Sequence, residues 1–210
     1  MKQNNVILFD VPAVRENLLP MSYTRPVADF LLGINTLRQK WECLLPGNYS
    51  YLTADYLAEK FPVVETDDNI YIASHVVATP ALAERVASLA PGEVLTGETT
   101  GGEHMMIAMR GTASHFAELS AGTPEGVAFP DKVEVITRLY DIFLLNGRQI
   151  EDDFQILTHR REGQVIPRSN TVIGDPEQIF IESGAIVEGV VLNASHGPIY
   201  VGRHVEIMEG

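Results

Sequence analysis

The sequence predicts an α/β protein in two parts: an open, mostly parallel sheet with flanking helices over residues 1–162, and a smaller β-solenoid over residues 163–210. Three observations predict it. Apolar runs rich in β-formers alternate with amphipathic stretches through the first half of the chain, the order that buries a parallel sheet between helices. Near Glu162 helical periodicity gives way to β-branched residues and glycines. Beyond that point aliphatic residues return at intervals of six, the spacing at which a triangular solenoid turns its leading residues inward.

The elements follow in order. Asn5-Val6-Ile7-Leu8-Phe9 is a short apolar run suited to a buried strand, and the chain then bends at Pro12. After Pro26, residues Phe30, Leu31, Ile34, Leu37 and Trp41 share one helical face and predict a helix that packs on the sheet. Residues 49–53 follow as a strand, 54–60 as a short helix, 69–73 as a strand, and 80–89 as a helix containing Ala81, Leu82 and Val86. Residues 93–95 and 104–109 read as strands and 112–119 as a helix. Residues 136–145 and 152–159 read as two helices broken at Asn146-Gly147. The glycines of 96–102 mark a hairpin connection. In an open sheet of this kind ligands gather at the carboxyl ends of the strands.

In the second part Ile181 and Val187, then Val201 and Ile207, lead the six-residue units, and residues 193–200 interrupt the register as a corner insertion. Solenoid coils bury a core only by stacking, and about three are normally needed. Fewer fit before Gly210, which falls four residues into a unit, so the chain reads as a piece of a longer protein. Two ordinary hairpins are the competing reading of the same spacing.

Composition narrows the partners. Asp and Glu number 28 against 15 Lys and Arg, a net charge of −13 that repels nucleic acid and anionic lipid. No stretch approaches the ~20 apolar residues of a spanning helix, and the opening residues lack the apolar run of a signal peptide. No nucleic acid, no membrane and a cytoplasmic location are therefore expected. Cys43 is the only cysteine, which excludes an internal disulfide and a multi-cysteine zinc site, and it reads as a core residue. The six histidines show no metal-like spacing and read as core or surface residues, and the pair Asp152-Asp153 reads as the solvated face of a helix.

No GxxxxGK[ST], GxGxxG, HExxH or GxSxG motif occurs. The residues that carry chemistry gather in the connection after the first strand: Asp10, Arg15, Ser22, Thr24 and Arg25. Two guanidinium groups with neighbouring hydroxyls suit a phosphate chain. The competing reading pairs Arg15 and Arg25 with Glu16, Asp29 or solvent.

Leu18-Leu-Pro-Met-Ser-Tyr-Thr-Arg-Pro-Val-Ala-Asp, preceded by Val6-Ile-Leu-Phe and followed by Leu32-Gly-Ile-Asn-Thr-Leu, resembles the opening of the nucleoside-diphosphate-sugar pyrophosphorylases. Residues 137–154 resemble the stretch joining such a domain to a β-helix. With the six-residue units, the order is similar to that of the bifunctional N-acetylglucosamine-1-phosphate uridyltransferase and acetyltransferase, in a shortened and divergent branch. The resemblance implies a Rossmann-like nucleotidyltransferase domain over 1–162, then the first coils of a hexapeptide-repeat, left-handed parallel β-helix that forms a homotrimer. It implies transfer of a nucleotidyl group from a nucleoside triphosphate to a sugar 1-phosphate, with Mg²⁺ offsetting phosphate charge. Arg15 and Arg25 are the implied catalytic residues, Asp10, Ser22 and Thr24 the nucleotide- and phosphate-binding ones, and Asp10 the candidate metal ligand.

The departures are specific. Asp10-Val11-Pro12-Ala13-Val14 stands where the family has a Gly-rich loop, so backbone amides lose their close approach to phosphate. Ser74-His75 stands where the family carries its metal-binding Asp. The alternative is therefore a catalytically degenerate module that binds a nucleotide sugar, attached to a trimerising, acyltransferase-type domain.

Overall fold

The computed structural model describes residues 3–120 and 125–209; Gly210, the fourth residue of the last six-residue unit, lies outside the described residues. The chain divides into two compact units, one of residues 1–31 and 35–144, the other of residues 32–34 and 145–210.

Through residue 128 the elements are β1 (Asn4–Phe9), α1 (Pro12–Asn17), β2 (Leu31–Leu32), β3 (Asn35–Thr36), α2 (Leu37–Leu44), β4 (Gly47–Leu52), β5 (Asn69–Ala73), α3 (Pro80–Ala87), β6 (Val94–Glu98), β7 (His104–Gly111), α4 (Ala113–Ser120) and β8 (Val127–Ala128). Six strands form one sheet in the order β4-β1-β5-β7-β6-β8. β1 lies parallel to β4 and β5, β6 lies parallel to β8, and β7 alone runs against the rest. Val6, Ile7, Leu8 and Phe9 are all buried, as a strand with neighbours on both edges and both faces requires. From β1 the chain moves to β4 on one side and then crosses to β5 on the other. The carboxyl ends of β1 and β5 therefore flank a topological switch point.

The helix expected after Pro26 begins only at Leu37. Gly33 takes φ +78 and turns the chain, and Thr36 then caps α2 in a reciprocal box, its hydroxyl accepting from Gln39 N at 3.1 Å and Gln39 Oε1 accepting from Thr36 N at 2.8 Å. α2 buries Leu37, Lys40 and Trp41, and Trp41 Nε1 donates to Val76 O at 3.1 Å. Cys43 falls off that stripe and is exposed, not in the core. Pro12 opens a short helix where a bend was expected, and residues 54–60 hold only a 3-10 turn at Asp55–Leu57.

α5 (Leu139–Thr158) is one continuous helix rather than two. Gly147 meets nothing in its surroundings, so it costs the helix about 1 kcal/mol relative to Ala without breaking it. Asn146 spends its side chain on Gly33 N, 2.9 Å away, instead of ending the helix. Asp153 is buried, not solvated as expected, and accepts from Ile34 N at 2.9 Å.

The second unit continues through β9 (Thr171–Ile173), β10 (Ile179–Ile181), β11 (Ile186–Val187), β12 (Val191–Asn193), β13 (Ile199–Val201) and β14 (Glu206–Ile207). These pair in parallel, not as hairpins: Thr171 with Val191, Ile179 with Ile199, and Ile186 with Glu206, so each partner lies 20 residues on. Ile181, Val187, Leu192 and Val201 are buried in a common core. The stretch expected as an insertion recurs in both turns of the chain: residues 174–178 join β9 to β10 and 194–198 join β12 to β13. The repeat length is therefore 20, with one side drawn out beyond six residues. Outward-facing aliphatic residues, among them Ile173, Ile186 and Val191, remain exposed. No helix among the described residues is long and apolar enough to cross a membrane.

Candidate functional site

Three strand ends set the site. Phe9 pairs with Leu52 on one side and Ala73 on the other, so the residues just beyond these ends, Asp10, Thr53 and Ser74, lie side by side. The Asp10 side chain is only 3% exposed. Its Oδ1 accepts from Ser74 Oγ at 2.6 Å and from Val27 N at 3.1 Å, and its Oδ2 accepts from Thr53 Oγ1 at 2.6 Å and Arg15 Nη1 at 3.5 Å. A carboxylate has about four acceptor positions, and four donors are directed at this one.

Arg15 leaves α1 toward the same point. Beyond Asp10 its guanidinium donates to Arg25 O at 3.4 Å and to the Tyr56 hydroxyl, and it stacks 5.3 Å from the centre of the Tyr56 ring. Ser22 is buried and donates to Arg15 O at 2.7 Å, which holds the loop's own backbone. The loop therefore brings Asp10, Arg15 and Ser22 together, along with the backbone of Arg25. The Arg25 and Thr24 side chains are exposed, and no ion pair involves Arg25 among the described residues. Among the described residues Arg15 pairs with neither Glu16 nor Asp29; Asp29 accepts instead from Tyr51.

Two cavities of about 570 Å³ each flank this loop. The first lies outside α1 and is lined by Pro12, Arg15, Leu19, Tyr23 and Tyr56 among others. The second sits over the carboxyl ends of β1 and β5, at the switch point, with Phe9, Asp10 and His75 on its floor side. Met105, Met106 and Phe116 contribute an apolar wall, and Thr99, Glu103 and Thr137 contribute polar groups. Phe116 is held there by stacking on Tyr71 at 4.2 Å and by an edge contact with Phe9 at 5.0 Å. A cavity with mixed apolar walls and a few polar groups is the usual form of a small-molecule site.

His75 is the buried histidine of the group, 3% exposed. Its burial pushes the imidazole down to about 4, so it is neutral at neutral pH. No group of three or more His, Cys, Asp or Glu side chains placed to hold a metal ion occurs among the described residues.

Sequence spacing singles out Asp10, Arg15 and Ser22 but not Thr53 and Tyr56, which complete the cluster with Ser74, a residue the sequence marks only as standing where the family carries a metal-binding Asp. The available signal was the common end of three strands: each of these residues, or one close by, follows an apolar run. A search of curated proteins finds no match. The stretch that builds the sheet, the loop and both cavities is also the stretch that matches a known family: residues 6–162 fit the model for sugar nucleotidyl transferases, and the chain belongs to that family.

Proposed function

We propose that the chain transfers a nucleotidyl group from a nucleoside triphosphate to a sugar 1-phosphate, with the sugar in the cavity over β1 and β5 and the triphosphate on the arginine side of the loop. The observation that carries this reading is the position of that cavity at the switch point of a chain whose family acts by nucleotidyl transfer. A sugar-phosphate oxygen attacks the α-phosphorus, the bond from that phosphorus to its bridging oxygen breaks, and pyrophosphate leaves with the electron pair. Charge develops on the phosphate oxygens, where fixed donors are worth most. Arg15, held by Asp10 and Tyr56, offers a pre-positioned cation; Arg25, exposed beside Thr24, offers a movable one.

The residues present do not fit a Mg²⁺ ion at Asp10, because a cation there would displace Arg15, a backbone amide and two hydroxyls. Asp10 acts in this reading as the organiser of the loop. The same observation favours a second reading, a module that binds a nucleotide sugar without turnover. To either belong a domain boundary at residue 162, where the family match also ends, a cytoplasmic location, and a left-handed hexapeptide-repeat β-helix that trimerises through its exposed aliphatic sides.

Pyrophosphate release from nucleoside triphosphates crossed with sugar 1-phosphates, with Mg²⁺ supplied, tests this. Turnover that falls about 10²-fold in Arg25→Ala is the expected result. Saturable nucleotide-sugar binding with no turnover across the panel supports the second reading instead.

A further inference from the structure

His75 lies at the cavity floor with an unused hydrogen-bonding edge. Its backbone is tied to the end of β5: Ile136 N donates to His75 O at 2.9 Å, and N of the preceding Ser74 donates to Phe9 O at 2.9 Å. The side chain is sealed on one side. Nδ1 is shut off from solvent and has no hydrogen-bond partner among the described residues. With Nδ1 sealed, Nε2 is the ring nitrogen left to face the cavity that His75 lines.

A neutral imidazole has one N–H and one lone pair, and the surroundings decide which nitrogen holds the proton. A buried N–H without a partner is rarer and more costly than an unused acceptor lone pair. Sealing Nδ1 therefore places the proton on Nε2. We infer that His75 presents an uncharged N–H donor to the ligand in this cavity and selects sugars that offer an uncharged oxygen acceptor, a hydroxyl or an acyl carbonyl, at that point. The inference rests on the reading of this cavity as the sugar site.

The chemistry of the walls agrees. The titratable groups on the same cavity are Asp10, Glu103 and His104. Asp10 is occupied by its four donors, and His104 Nδ1 lies 2.9 Å from Gly97 O, so among the titratable groups His75 is the donor left to a ligand. Phe9, Met105, Met106, Phe116 and Leu119 give the same cavity its apolar surface. A neutral donor within apolar walls discriminates against an analogue that lacks the matching oxygen, because the buried N–H is then left unpaired. A fixed cation at the same place would instead favour phosphate and read little of the sugar.

The test uses the full chain labelled with ¹⁵N-histidine, with glucose 1-phosphate as the probe. The expected spectrum shows His75 as the Nε2–H tautomer, and its Nε2 resonance moves when the probe is added. By calorimetry His75→Phe weakens binding about tenfold, and His75→Gln, whose amide N–H reaches the same region, restores most of it. An Nδ1–H tautomer overturns the inference. So does full-strength binding by His75→Phe while the methyls of Met105 and Met106 still respond to the probe; in that case the cavity reading survives and the donor role falls. If neither those methyls nor His75 respond, the cavity reading itself has failed and takes the inference with it. Where His75→Phe does not fold, the tautomer and the probe-induced shift in the unaltered chain decide the matter.

Discussion

Asp10→Ala is expected to destabilise the chain by about 3–5 kcal/mol, the range for removing one partner of a buried charge pair. The loss is large because the carboxylate serves four donors at once. Without it, Arg15 Nη1, Val27 N and the hydroxyls of Thr53 and Ser74 lose an acceptor together, at a point where the side chain is 3% exposed. Arg15 keeps Tyr56 and Arg25 O, so it does not become wholly unpaired. Asp10→Asn retains one oxygen for two of the donors and should fall between the wild-type chain and the alanine variant. Domain stabilities commonly lie at 5–15 kcal/mol, so the alanine variant would lose a substantial part of the total. Urea unfolding checks the ordering, and a loss under about 1 kcal/mol for Asp10→Ala would show that water replaces the carboxylate readily.

Gly33→Ala is the second large effect, expected at about 3–4 kcal/mol. A left-handed φ of +78 costs a residue with a Cβ about 1–2 kcal/mol. A Cβ there would also stand 2.5 Å from Gln149 O and 2.7 Å from Asp153 Oδ2, so the turn must lift off α5. Lifting it breaks the bonds from Gly33 N to Asn146 and from Ile34 N to Asp153, and leaves a buried carboxylate without that donor. Gly33→Ala and Asp153→Ala should be strongly non-additive in a double-mutant cycle, since both remove the same contact. Additive losses would mean that the turn is held by something other than these bonds.

These two residues also show where the sequence was legible. β5 was placed residue for residue and β1 to within one residue, because a buried strand needs an unbroken apolar run and these have one. Asp10, Arg15 and Ser22 stood out because they lie within a dozen or so positions of each other. That Thr53 and Ser74 join Asp10 is not legible, since it depends on strand order, with β1 between β4 and β5, and order is a tertiary choice. The expected helix at 30–41 failed for a local reason that was present in the letters: Gly33 can turn the chain, and Thr36 with Gln39 is a capping box. Apolar periodicity alone outweighed both signals. Asp153 reads as solvated because nothing near it in sequence announces that a distant backbone turn will need an acceptor. In the second unit the leaders at 181, 187, 201 and 207 are visible in the sequence, but the drawn-out side at 194–198 reads as an exception because its counterpart at 174–178 precedes the first of them.

If ligand binds in the cavity over the ends of β1 and β5, the methionines report it directly. Met105 and Met106 line that cavity, while Met21 and Met208 do not. With ¹³C-methyl methionine labelling of the full chain, addition of a nucleoside triphosphate and glucose 1-phosphate is expected to shift Met105 and Met106 together and leave Met208 in place. A response confined to Met21 or Met208, with Met105 and Met106 unmoved at saturating ligand, would contradict it.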